Sequence, residues 1–219
     1  MDRTARLNAL NSAKLYLCTD ARTEQGDLRE FLHACYEGGV DIIQLRDKKL
    51  EARAEITALE ILAEVAAEHG RMFAVNDRAD VALLVGADVF HVGQGDLSTE
   101  QARRVLGPDV IMGRSNNSLQ QFEASHADPG LDYAVIGPVW PTPTKPGRPA
   151  VGTEVVRQVA QLVDAGPHAT KPWFAIGGIS LGTLAEVNQT GAQRIVVVRA
   201  LTQAQDPAQA ANLLKAQLP

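Results

Sequence analysis

Eight short apolar runs, KLYLCT, DIIQLR, MFAVND, DVFHVG, VIMGRS, DYAVIG, WFAIGG and RIVVVR, alternate strictly with eight segments of helical periodicity, from DLREFLHACYEGG to PAQAANLLKAQL. The runs are apolar at nearly every position rather than every second one, the pattern of strands covered on both faces by crossover helices. Such alternation makes a parallel sheet, and two architectures compete for it: the open doubly wound sheet and the closed (β/α)8 barrel. Eight strand-helix units within 219 residues favour the barrel. The expected fold class is therefore α/β, a single-domain (β/α)8 TIM barrel over residues 14–219, with residues 1–13 as an N-terminal extension of no assigned role. No linker or shift in composition marks a second domain.

A chain of this length can bury a substantial core, and with 45% hydrophobic residues it is neither disordered nor membrane-spanning. Its apolar stretches, such as VALLV and IVVV, fall far short of the roughly 20 residues a bilayer crossing requires. The opening MDRTARLNALNSAK has no apolar core of the signal-peptide kind, and Cys18 and Cys35 read as small buried residues on a strand and a helix. A reducing cytoplasm is the expected compartment. A net charge of −5 without a long basic run argues against a nucleic-acid partner, because tracking a phosphate backbone takes a dense cationic surface. Small-molecule substrates are expected, and monomer and homodimer both stay open.

In this barrel class catalytic groups stand where each strand meets the following helix. Strand two runs into QLRDKK, whose period-two spacing sends Gln44, Arg46 and Lys48 to one side; the plain alternative is a solvated strand end with two surface cations. Asp77 follows Asn76 at the end of strand three, and Asp96 closes HVGQGD after strand four. On neighbouring strands the two carboxylates can converge, and Mg²⁺, which takes one or two carboxylates plus phosphate and water oxygens, would relieve their repulsion. Helix capping is the alternative for Asp77, whereas Ser98 is the better cap candidate beside Asp96. Ser115, in GRSNNS, is by itself no different from a turn or capping serine. The glycines of AIGGIS, with VVVRAL on the next strand, suit the phosphate site usual at loops seven and eight, or merely a tight turn. Between the two regions lies GPVWPTPTKPGRPAVG, whose prolines exclude helix and central strand. Its stiffness would hold Lys145 over one phosphate group and Thr142 and Thr144 over another without ordering them at each turnover.

The set QLRDK, NDRADVALLVGADVFHVGQGDL, GRS, GPVWPTPTK, AIGGI and VVVRAL, in this order, resembles the thiamine-phosphate synthase (thiamine-phosphate pyrophosphorylase) family over residues 14–205. The resemblance implies a transferase that joins 4-amino-2-methyl-5-(diphosphooxymethyl)pyrimidine to 4-methyl-5-(2-phosphooxyethyl)thiazole, releasing diphosphate. Carried over, the pyrimidine diphosphate would be bound by Gln44, Leu45, Arg46, Asp47, Lys48, Asn76, Ser115 and Lys145, with Arg46, Lys48, Ser115 and Lys145 catalytic. One Mg²⁺ would be held by Asp77 and Asp96, and the thiazole phosphate by Thr142, Pro143, Thr144, Gly178, Val198 and Arg199. Many members carry serine where this chain has Arg199, and tyrosine or phenylalanine where it has Trp140.

Two rivals are weighed. A thiazole tautomerase on the same barrel would have no reason to keep Arg46, Lys48, Asp77, Asp96 and Lys145 together, and a non-catalytic phosphate-binding regulatory barrel would bind without turnover. His91 reads as a hydrogen-bonded core residue rather than a ligand. His33, His69, His126 and His168 receive no function.

Overall fold

The computed structural model describes residues 1–142, 147, 149–166 and 171–219. Its strands are β1 Leu15–Thr19, β2 Ile42–Leu45, β3 Met72–Asn76, β4 Val89–Val92, β5 Ile111–Asn116, β6 Tyr133–Ile136, β7 Trp173–Ile176 and β8 Ile195–Val197. Each pairs in parallel with the next, and β8 pairs back with β1, closing the barrel. The (β/α)8 expectation holds, with every strand within two residues of its expected ends.

The helices are α1 Arg3–Ser12, α2 Leu28–Glu37, α3 Ala52–Glu68, α4 Ala79–Leu84, α5 Thr99–Leu106, α6 Leu119–Ala127, α7 Gly152–Ala165, α8 Leu184–Asn188, α9 Arg199–Thr202 and α10 Pro207–Ala216. Their buried stripes follow the helical period: α2 turns Leu28, Phe31, Leu32, Cys35 and Tyr36 to the sheet, and α7 turns Val156, Val159, Ala160 and Val163. Helix α8 is shorter than its sequence pattern because Thr183 delays it. The Thr183 hydroxyl accepts from the Ser180 N–H at 2.9 Å and donates to the Gly178 carbonyl at 3.1 Å, a local turn that competes with helix.

Residues two apart on each strand point the same way. The inward set, including Tyr16, Ile42, Met72, Val89, Ile111, Tyr133, Phe174 and Val196, fills the barrel, and the outward set packs beneath the helices. Two cores from one sheet explain why the strands read as apolar throughout.

Residues 3–12, expected only as part of an extension, form α1, which lies against the end where the strands begin. Asp2 caps it by accepting from the Ala5 N–H at 2.8 Å, and fully buried Leu10 joins the inward core beside Ile42, Met72 and Ile111. Arg3 pairs with Asp132 at 2.6 Å and Arg6 with Asp88 at 2.9 Å, tying the helix to the residues that precede β6 and β4. Leu10→Ala should therefore cost about 2–5 kcal/mol in urea unfolding, as for other large-to-small core changes. A change of only a few tenths would show that α1 is an appendage.

Candidate active site

At the opposite end the inward set turns polar. Gln44 on β2, Asn76 on β3, His91 on β4 and Ser115 on β5 are all buried and continue the inward positions of the apolar residues below them. Buried polar groups need partners. Gln44 Nε2 donates to Asn76 Oδ1 at 2.7 Å, and Gln44 Oε1 accepts from the Tyr16 hydroxyl at 2.9 Å. The Tyr16 and Tyr133 hydroxyls lie 3.2 Å apart, Tyr133 meets His91 Nδ1 at 2.9 Å, and His91 Nε2 meets Ser115 Oγ at 2.8 Å. The chain thus crosses the barrel from β3 to β5 through β2, β1, β6 and β4. Burial pushes both tyrosine hydroxyls well above the ordinary phenol range, so they remain neutral. Gly113 makes room for this layer: a Cβ there would stand 2.1 Å from the Tyr133 ring.

Above the layer stand the charges. Asp77 adopts φ 60° in the left-handed region, and its Oδ2 lies 2.9 Å from Lys48 Nζ. It caps nothing, since the N-cap of α4 is Arg78, without a side-chain cap bond. Asp96 Oδ2 accepts from the Gly93 N–H at 2.8 Å, and the cap of α5 is Ser98, in a reciprocal capping box with Gln101. Capping accounts for neither carboxylate. Burial pushes the Asp77 carboxyl above its ordinary value against the pull of Lys48, and neighbouring Asp96 pushes the same way. Burial acts upward on Asp96 too, yet the Gly93 N–H, Asp77 and Lys48 together hold it below its usual value. Two close carboxyls with opposite shifts are one site competing for one positive charge. Among the described residues no three or more His, Cys, Asp or Glu side chains gather as a metal cluster. The Asp77–Asp96 pair suits a hard cation that draws its remaining oxygens from substrate and water.

Two contiguous cavities open here. A small one, about 80 Å³, is lined by Gln44, Arg46, Lys48, Asn76, Asp77, His91, Asp96 and Ser115. A larger one, about 360 Å³, is lined by Thr142, Gly177, Gly178, Val198, Arg199 and Gln203 among others, and it shares Ser115, Ile176, Val196 and Val198 with the first. Gly178 has φ 73°, and a Cβ on it would stand 2.8 Å from Trp140 Cβ, so a side chain is excluded twice over. Among the described residues nothing accepts from the backbone N–H groups of Gly178, Ile179, Arg199 or Ala200.

The residues singled out by sequence thus divide between the two cavities. Leu45 and Asp47 are the exceptions: Leu45 is buried in the core beneath the helices, and Asp47 accepts from the Lys49 N–H at 3.1 Å and the Ala21 N–H at 3.4 Å. Neither side chain lines a cavity, as their alternate position on the strand requires. Pro143, Thr144 and Lys145 lie outside the described residues. Sequence reasoning missed Tyr16, Tyr133 and Gln203. For the tyrosines a signal existed, since both keep the inward parity of their strands; for Gln203, in the turn after α9, there was none. His91 is the hydrogen-bonded core residue expected, and it also forms part of the wall of the small cavity.

A sequence model of the thiamine monophosphate synthase family matches residues 15–201. The chain belongs to the thiamine-phosphate synthase family. It is 55% identical over 214 residues to the thiamine-phosphate synthase of Saccharopolyspora erythraea, covering 95% of this chain and 94% of that one. To the thiamine-phosphate synthase of Thermobifida fusca it is 54% identical over 218 residues, covering 100% and 97%. Among solved structures, the thiamine phosphate pyrophosphorylase of Pyrococcus furiosus superposes with a TM-score of 0.82 at 32% identity, covering 94% of this chain and 96% of that one. Membership of the thiamine-phosphate synthase family makes this chain an enzyme of the transferase class.

The carboxylate pair generates a prediction that needs no substrate. Asp77 carries a raised carboxyl, so its charged form costs stability at neutral pH, and that cost disappears as pH falls and Asp77 takes up its proton. Asparagine tolerates the left-handed backbone equally well. Asp77→Asn should raise the melting temperature of the metal-free protein at neutral pH, with the gap closing on acidification; a lower melting temperature at neutral pH would show that the Lys48 ion pair outweighs the repulsion.

Proposed function

We propose that the protein condenses 4-amino-2-methyl-5-(diphosphooxymethyl)pyrimidine with 4-methyl-5-(2-phosphooxyethyl)thiazole to give thiamine phosphate and diphosphate. The observation that carries this reading is the adjacency of two cavities of unlike lining, each suited to an anion. One is cationic and carboxylate-bearing, the other is walled by glycine and backbone N–H groups, and they share a wall at Ser115, Ile176, Val196 and Val198.

In this reading Arg46, Lys48 and Asn76 hold the diphosphate, and Lys145 is the further cation that the family resemblance implies. Asp77 and Asp96 would hold Mg²⁺, which supplies Lewis-acid neutralisation of the departing diphosphate. Breaking the pyrimidine CH₂–O bond leaves a positive carbon that the aminopyrimidine ring delocalises, while negative charge collects on the leaving group. Fixed cations aimed at that charge lower the barrier without reorganisation, the term that usually dominates catalysis. Ser115, held by His91, stands at the shared wall where the two substrates would meet. The attacking thiazole nitrogen carries no proton, so neither a general base nor a protein nucleophile is required. The thiazole phosphate would take the N–H groups of Gly178, Ile179, Arg199 and Ala200, together with Thr142, Thr144 and the Val198 backbone, an arrangement suited to an anion because oriented amides need no counterion.

The direct test mixes the purified protein with both substrates, with Mg²⁺ or excess chelator, and follows thiamine phosphate and diphosphate by mass spectrometry. Equal amounts of both products, abolished by chelation, are expected. Asp77→Asn and Asp96→Asn should each shift the Mg²⁺ titration to higher concentration, and titrations like the unsubstituted protein's would refute a shared ion. Binding of thiazole phosphate without product would move the reading to a tautomerase or a regulatory barrel.

Arg199 is exposed at the rim of the larger cavity, where its guanidinium can add a clamp to the backbone contacts. Arg199→Ala is expected to raise the apparent KM for thiazole phosphate by about tenfold, the worth of one charged hydrogen bond, with kcat less affected. An unchanged KM would leave the phosphate to the backbone alone.

A further inference from the structure

We propose that the opposite end of the barrel carries a separate site for a small phosphate monoester with an apolar body, in the cavity between α7 and the starts of β7 and β8. This cavity measures about 380 Å³ and shares no lining residue with the two at the mouth. Arg194 and Lys171 line it, with Val163, Pro172 and Trp173 as its apolar wall and Asp164 also among its lining residues.

The argument starts from how this end of the barrel treats charge. Asp41, Asp88 and Asp132 stand immediately before β2, β4 and β6, and each is paired: Asp41 with Arg71 and Lys215, Asp88 with Arg6, Asp132 with Arg3 and Arg103. Arg194 occupies the same position before β8 but brings the opposite charge, and it forms no ion pair among the described residues. Its Nε is buried without any hydrogen-bond partner, and among the described residues its one side-chain bond runs from Nη2 to the Asn11 carbonyl at 3.1 Å. Lys171 donates from Nζ to the Asp128 carbonyl at 2.7 Å and is likewise without an ion pair among the described residues.

Arg194 is half-buried, so its guanidinium loses part of its hydration with no counterion among the described residues in return. Burial pushes Arg194 below its ordinary value with nothing offsetting it, and pushes Lys171 down against a partial pull from Asp128 and Asp132. Two unneutralised cations beside an open cavity call for an anion, and a phosphate presents two charges and enough oxygens for both. The lining is mainly polar, and the smaller apolar face left by the edges of the buried Trp173 and Val163 is one that inorganic phosphate cannot use. Asp164, at the exposed end of α7, pairs with neither cation and opposes the same ligand.

The test uses phenyl phosphate as probe and Trp173 as reporter. Trp140 lies at the mouth against Gly178, so Trp140→Phe leaves Trp173 as the sole tryptophan. In that background phenyl phosphate should change Trp173 emission saturably, binding more tightly than inorganic phosphate. Arg194→Gln should weaken this binding about tenfold or more, the effect of losing a charged hydrogen bond, and Asp164→Asn should strengthen it. Arg199→Ala, at the other end, should leave it unchanged. Should Arg194→Gln fail to fold, Lys171→Met carries the same comparison. Affinity unaffected by Arg194→Gln and Lys171→Met would overturn the site; equal affinity for inorganic and phenyl phosphate would overturn the ligand class. Loss of binding in Arg199→Ala would place the probe at the mouth and overturn the proposal.

Discussion

The contact between the Tyr133 hydroxyl and His91 Nδ1 joins the packing of the barrel to the chemistry of its mouth. Closing eight parallel strands creates an interior that side chains must fill, and here the filling changes character with height. At the base it is aliphatic: Leu10, Ile42, Met72, Val89 and Ile111. In the middle Tyr16, Tyr133 and Phe174 meet edge to face or tilted, with centroids 5.7 to 6.2 Å apart. Their rings complete the apolar column, and the hydroxyls of the two tyrosines emerge from it to start a polar layer. Gly113 yields its own side-chain volume so that the Tyr133 ring can stand where it does. Tyr133 thereby fixes His91, and His91 fixes Ser115. Each of these groups is partnered, so the layer avoids the roughly 1–3 kcal/mol that every orphaned buried polar atom would cost.

Immediately above, the logic reverses. Asp77 holds a left-handed backbone, two carboxyls compete for one positive charge, and Lys48 reaches them from a largely exposed stem. Burial and the neighbouring Asp96 work against the Asp77 charge, and the Lys48 pair offsets only part of that. Such an arrangement suits charge supplied from outside, which is the basis of the proposed metal and diphosphate sites. The contrast with the layer below is the physical basis for regarding one as scaffold and the other as site.

Much of this was legible in the sequence, and the limits are equally physical. The barrel followed from alternation because crossover helices leave strands apolar on both faces. The polar mouth followed from strand ends because period two aims Gln44, Arg46 and Lys48 together, and the three line one cavity. The same rule excludes the side chains of Leu45 and Asp47, which a contiguous motif had included. The Tyr16–Tyr133–His91 chain was not legible, because it joins β1, β4 and β6, positions that meet only across the closed barrel. Helix α1 was hidden for another reason: it is only ten residues long, and its mostly polar surface gave little periodic signal. Its Leu10 finds a core that exists only once the barrel has closed.

The two ends of the barrel resolve the same electrostatic problem in opposite ways. At the base, acidic residues before β2, β4 and β6 are met by arginines or lysines from other elements, and the Asp88 and Asp132 carboxylates are about one-tenth exposed or less. Such pairs add little net stability against their desolvation, but each is ruinous to break singly, so they specify which elements meet. At the mouth the charges are more exposed, and among the described residues Lys48 pairs with Asp77 while Arg46 forms no ion pair. Changes at the mouth can therefore act on the proposed anion sites without disturbing how the barrel closes, whereas changes at the base cannot. Arg194 is the exception that follows the rule of the mouth while standing at the base.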